Sequence, residues 1–171
     1  QLDSLVGKLL DTLDQEGLSK NTIVLFTSDN GVNLSHWPDS GAASFRGEKG
    51  LTWDGGFRVP MLARWPEHIK PDTWTGEFMA SEDWLPTLMA AAGKPDVKQQ
   101  LLSGLDVGGK TFKNHLDGYN QLDLLTQPDG KSKRHEFFYF AETSMNAVRV
   151  DQWKIHTAVK DKWMEDARKI P

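Results

Sequence analysis

Residues 21–31 run NTIVLFTSDNG, and the reading of this stretch decides the architecture. Ile23, Val24, Leu25 and Phe26 form a continuous β-branched and apolar run. A strand greasy on both faces is what a buried parallel sheet requires. Just upstream, Leu2, Leu5, Val6, Leu9, Leu10 and Leu13 recur at helical spacing, with Asp3, Lys8, Asp11 and Asp14 on the other faces. The pattern predicts an amphipathic helix over about residues 1–16, stopped by Gly17. Helix, short turn and buried strand make half of a βαβ unit. Asp29, Asn30 and Gly31 follow the strand directly. In open α/β sheets that carboxyl edge is where ligands gather.

Further along, residues 29–56 show little periodicity, and a structureless stretch of that length in a compact domain is usually functional or disordered. FRVPMLARWP (57–66) returns to strand character. SEDWLPTLMAAAG (81–93) predicts a helix with Ser81 as N-cap, Leu85, Leu88 and Met89 as its apolar face, and Gly93 as its end. Pro86 falls in the first turns, where proline is tolerated best. Beyond about residue 95 the chain becomes rich in Gly, Lys and Asp up to QPDGKSKR (127–134). HEFFYFAE (135–142) and NAVRVDQWKIHTAV (146–159) predict two antiparallel strands, the second with Val148, Val150 and Ile155 alternating. The closing KDKWMEDARKIP is polar, and no internal repeat is visible.

The 171 residues suit one domain with a real core, and 38% hydrophobic with 26% charged residues is a globular composition. A net charge of -4 argues against a nucleic-acid footprint, so Arg46 and Lys49 are individually placed cations. With no cysteine in the chain, disulfides, thiolate metal sites and a cysteine nucleophile are excluded within these residues. No apolar run approaches the roughly 18 residues of a membrane span. The chain opens on Gln1 without an initiator Met, so a processed or truncated start is expected.

Asp29 and Asn30 offer hard oxygen atoms that suit Ca²⁺ or Mg²⁺, and Gly31 permits a sharp turn; Asp, Asn and Gly are equally turn residues. Lys49, flanked by Gly47 and Gly50, is built to approach an oxyanion closely or is a solvated loop lysine. Arg46 is placed to brace a substrate or to pair with Asp54 or Glu48. Gly55 and Gly56 point to close backbone packing, with Arg58 as a candidate ion-pair partner. His36 has several open roles: ligand, proton donor, substrate contact or ordinary loop histidine. The other four histidines show no ligand spacing. Asn33-Leu34-Ser35 matches a glycosylation acceptor, but a glycan there would block the loop, and the match is read as incidental.

In that order, TSDNG, FRGEKGLTWDGGFRVP, SEDWLPTLMAAAG and VDQWKIH resemble the C-terminal portion of type I sulfatases, the arylsulfatases of the alkaline-phosphatase-like superfamily. HLDGYNQLDLL and RHEFFYF add a likeness to the bacterial arylsulfatase A-like branch. The resemblance implies an α/β fold: part of an alkaline-phosphatase-like sheet with flanking helices, then a small antiparallel-sheet C-terminal subdomain. Residues 1–95 would belong to the catalytic domain and 96–171 to an incomplete subdomain. It further implies that Asp29 and Asn30 bind a divalent cation, Ca²⁺ before Mg²⁺, and that Lys49 contacts the sulfate as substrate-binding and catalytic residue. His36 and Arg46 remain weaker substrate-binding candidates.

Such enzymes carry far upstream a Cys- or Ser-x-Pro-x-Arg motif whose first residue becomes formylglycine, the nucleophile that attacks sulfur while an alcohol or phenol leaves. That motif is absent from these residues. The expectation is therefore a sulfatase segment inactive alone, whose partners are a sulfate-ester substrate and the upstream part of the same enzyme. A periplasmic or secreted setting is implied by the resemblance only. A phosphate or phosphonate ester hydrolase of the same superfamily, or a non-catalytic sulfatase-like module, are the alternatives.

Overall fold

A computed structural model describes residues 1–36, 38–41, 44–160 and the backbone of 168–169. In chain order the elements are α1 (Leu2–Gln15), β1 (Val24–Thr27), α2 (Asp54–Phe57), β2 (Met61–Arg64), α3 (Trp84–Ala91), α4 (Val97–Ser103), β3 (Leu105–Val107), β4 (Lys110–Phe112) and α5 (Leu122–Thr126), followed by β5 (Glu136–Ala141), β6 (Ser144–Val150), β7 (Trp153–His156), β8 (Ala158–Val159) and β9 (Arg168–Lys169). They form two compact units, one of residues 1–65 with 136–171, the other of residues 66–135.

In the first unit α1 ends as the sequence predicts. Gly17 takes φ 68°, and the Leu18 amide donates to the Leu13 carbonyl at 2.9 Å, closing the last turn. The Ser19 hydroxyl bonds the Asp14 carboxylate, and Arg64 reaches the same carboxylate at 3.2 Å, tying helix end to β2. β1 departs from expectation. Its partner is β2, antiparallel, with Val24 opposite Arg64 and Thr27 opposite Met61, and its residues are half-buried or exposed. The physical reason is the return of residues 57–66 along the same strand, fastened by the Thr27 hydroxyl donating to Pro60 O at 2.9 Å.

The predicted second C-terminal strand is a hairpin. The chain turns at Asp151 and Gln152, with Asp151 at φ 49°, so β5, β6 and β7 make a three-stranded antiparallel meander. Alternation is present, but Val150 and Ile155 lie on its outer, exposed face. The inner face carries Phe137, Tyr139, Lys154 and His156. Phe57 of α2 packs edge-on to Phe137 and Tyr139, with ring centroids 6.0 and 4.9 Å away.

The second unit is organised around a buried carboxylate. Asp83, fully buried, accepts bonds from the Ala80 amide (3.0 Å), the Tyr119 amide (2.7 Å) and the Arg134 guanidinium (2.7 to 3.2 Å). The helix start therefore differs from prediction. Asp83 reaches back to the Ala80 amide, a 3-10 turn spans Ser81–Asp83, and α3 begins at Trp84, while Ser81 is exposed. Its buried face is Pro86, Thr87 and Ala90, whereas Leu85 and Leu88 are exposed. Thr87, one turn after Asp83, receives the Gln121 amide at 2.9 Å and so extends the same polar core. Gly93, at φ 81°, ends the helix as expected.

Candidate functional site

β1 ends at Thr27 and delivers Ser28, Asp29 and Asn30 to the head of the long loop. The Ser28 hydroxyl donates to Asn30 O at 2.9 Å, and the Asn30 side-chain amide donates to Gly31 O at 2.9 Å. With Nδ2 so engaged, Oδ1 is the atom Asn30 has left for a cation. Asp29 is exposed and Asn30 half-buried.

The next residues are stitched to the glycine-rich segment. The Gly31 amide donates to Gly56 O at 2.9 Å, the Lys49 amide to Val32 O at 2.8 Å, and the Leu34 amide to the Glu48 carboxylate at 2.9 Å. Within the segment, the Gly55 amide donates to Arg46 O at 2.7 Å and Leu51 to Glu48 O at 3.0 Å. A Cβ on Gly31 would run into Gly55 O, one on Gly55 into the Gly47, Phe45 and Arg46 carbonyls, and one on Gly56 into Leu51 O and Glu48 O. Close approach, rather than positive φ, is what these three glycines supply. Gly47 and Gly50, at φ 88° and 84°, do supply the left-handed turns either side of Lys49. The backbone thus holds the half-buried Lys49 turn against the strand end that presents Asp29 and Asn30.

The weaker candidates are less tightly grouped. His36 ends an exposed 3-10 turn, Leu34–His36. The Arg46 guanidinium stacks 3.8 Å from the centroid of the Trp53 ring, and Arg58 stacks over Phe45 at 4.3 Å. Asp54 is paired with Lys154 at 2.8 Å.

Lys154 and His156 were not singled out from the sequence. The signal was there: both are polar and both occupy the alternate positions of VDQWKIH, opposite the apolar set. His156 stacks on the other aromatic of the segment, Trp53, at 4.1 Å, and its Nδ1 is buried without a hydrogen-bond partner. Burial first, then the Lys154 charge, lowers its pKa below 6.5.

Asp29 and Asn30 suit a hard cation by atom type, and the fixed Asn30 amide agrees with that use. Among the described residues no three His, Cys, Asp or Glu side chains form a group that could hold a metal ion. No helix among the described residues is long and apolar enough to cross a membrane.

Residues 1–94 match the family model described as Sulfatase. Human arylsulfatase A is 36% identical over 91% of this chain, which covers 29% of that protein. The arylsulfatase of Hemicentrotus pulcherrimus is 32% identical over 91% of this chain and 26% of its own length. Among solved structures, the PsFucS1 sulfatase from Pseudoalteromonas sp. superimposes with a TM-score of 0.77 at 32% identity, over 92% of this chain and 29% of the other. This chain therefore belongs to the sulfatase family, with the alkaline-phosphatase-like fold of its structural neighbours. It spans somewhat more than a quarter of the length of the relatives it matches.

Proposed function

We propose that this chain is the C-terminal portion of a sulfatase that hydrolyses sulfate esters, with the formylglycine nucleophile contributed by residues upstream. Residues 1–95 are assigned to the catalytic α/β domain and 96–171 to the C-terminal subdomain; the end of the family match at residue 94 supports that boundary. Asp29 and Asn30 would hold a divalent cation, Ca²⁺ in preference to Mg²⁺. When bound, such a cation neutralises sulfate charge and lowers the pKa of a nearby nucleophile.

The observation that carries this reading is the set of backbone bonds stitching Gly31 and Val32 to Gly56 and Lys49. They bring a lysine turn beside the strand end that offers two hard oxygen ligands. Lys49 then supports charge developing on the sulfate or on the departing oxygen; Gly47 and Gly50 permit its left-handed turns, and the bond from its amide to Val32 O holds the turn in place. Arg46, stacked over Trp53, belongs to the same segment and is a second candidate contact for an anionic substrate.

The test is to assay the longer protein on paired aryl sulfate and aryl phosphate esters. Sulfate turnover that falls on chelation and returns with Ca²⁺ is the expected result. Dominant phosphate turnover would replace the reading with phosphatase chemistry, and inertness to both esters with a non-catalytic module.

A further inference from the structure

The glycine-rich segment that carries the Lys49 turn makes side-chain contacts with the C-terminal meander of the same unit through Trp53, Asp54 and Phe57. Lys154 of β7 places its ammonium 2.8 Å from the Asp54 carboxylate and 3.5 Å from the centroid of the Tyr139 ring. Asp54 is the first residue of α2, the single turn that continues into Gly55 and Gly56. The Lys154 side chain is 16% exposed and that of Asp54 36%. The pair is thus partly withdrawn from water, where charge–charge contacts are screened less than on an open surface. Two residues further along β7, on the same face, His156 stacks on Trp53, which also contacts the Arg46 guanidinium and whose Cβ lies against Gly47.

The geometry points to Lys154 as a positioning residue for Lys49. Through Asp54 and Tyr139, and alongside the His156–Trp53 stack, it fixes the glycine-rich segment 46–57 on the meander and so sets where the Lys49 ammonium stands. This rests on the proposed role of Lys49. Leu51 and Thr52 bury their own side chains, while Trp53, Asp54 and Phe57 of the segment meet partners on the meander, so its seat depends on that neighbour as well as on its own backbone bonds. Lys154 touches neither Asp29 nor Asn30 in any contact the structure shows, and its part is in placing the turn, not in the chemistry.

The experiment uses the longer, metal-loaded protein and the variants Lys154→Met, Lys154→Arg and Asp54→Asn. Two measurements are made: steady-state kinetics on an aryl sulfate, and amide hydrogen exchange. In Lys154→Met, kcat should fall roughly tenfold with KM changed by less than about twofold, as expected when a group acting in the transition state is displaced by a fraction of an ångström. Exchange should quicken at the amides of Lys49, Leu51, Gly55 and Gly56 while the rest of the protein keeps its protection. Lys154→Arg, which keeps a charge for Asp54, should recover most of both effects. A merely structural role would instead quicken exchange throughout and leave kcat of the folded protein unchanged. Should Lys154→Met fail to fold, Asp54→Asn carries the same expectations. Unchanged local exchange together with unchanged kcat in a folded variant overturns the inference. A wild-type protein inert to sulfate esters sinks the functional reading instead, and the exchange result still decides whether Lys154 holds the segment.

Discussion

Lys49 and Gly55 separate chemistry from architecture within a few residues of each other. Lys49 is half-buried on a turn whose conformation is set by Gly47 and Gly50, so removing its side chain leaves the backbone bonds of the turn in place. On the role proposed for it, Lys49→Ala in the longer protein should lower sulfate-ester turnover by about 10²-fold, the scale for losing one preorganised charge-stabilising donor. Thermal unfolding should move little, and the kinetic and melting measurements together check it. Gly55→Ala should do the reverse. Its Cβ would meet three backbone carbonyls, none of which swings away like a side chain, and overpacking of this kind costs about 1–3 kcal/mol. Denaturant titration should show that loss. The sequence made Gly55 and Gly56 legible because adjacent glycines beside a site have few other uses. At Gly31 the expected sharp turn is present as a bend over residues 29–31, and what excludes a Cβ there is Gly55 O. That contact joins residues far apart in sequence, which local composition does not record.

Elements were legible where their pattern was local. α1 and its Gly17 stop came from apolar spacing and one left-handed glycine. β1 and β2 were found as strands, but their antiparallel pairing is a tertiary fact that a greasy run does not disclose. The β6–β7 turn was missed because Asp151 and Gln152 carry no glycine, although aspartate tolerates the left-handed region. The start of α3 was misassigned for a related reason. A buried Asp83 fills the capping role, and its value depends on Arg134, which is distant in sequence. Burial raises the Asp83 pKa, but the bonds from Arg134 and from the Ala80 and Tyr119 amides outweigh it, and the net position is below 3.8. A carboxylate depressed in the fold contributes stability above its unfolded pKa and loses it as pH falls through the folded value. The acid loss from this group thus lies below pH 3.8. Arg134→Met leaves that charge buried without its cation and should cost about 3–5 kcal/mol at neutral pH. In the variant burial dominates and Asp83 takes up its proton at a higher pH than in the wild type. The stability gap between the two should then narrow on acidification, which unfolding curves at pH 7 and pH 4 would show.

Across the whole chain, apolar surface and partial coordination lead to the same expectation. In the unit of residues 1–65 with 136–171, α1 has no buried residue, and Leu2, Leu5 and Leu9 are 63%, 59% and 54% exposed. Leu62 of β2 and Phe138, Phe140, Trp153 and Ile155 of the meander are also exposed. Apolar surface exposed in this way favours association, at about 25 cal/mol for each Å² removed from water. The 171-residue chain by itself should therefore self-associate, and light scattering with chromatography would reveal it; a monodisperse, cooperatively melting monomer would contradict the expectation. Its cation site should be correspondingly weak. Calcium takes six to eight oxygen ligands, and a single carboxylate with one amide oxygen supplies a minority of them; among the described residues no group of three His, Cys, Asp or Glu side chains could hold the ion instead. Calorimetric titration of this chain with Ca²⁺ should therefore give a Kd no tighter than about 10⁻³ M. The longer protein should bind far more tightly and lose that gain when Asp29 is changed to Asn. Tight binding by the short chain, unaffected by Asp29→Asn, would mean that the cation is held elsewhere and that Asp29 and Asn30 are turn residues after all.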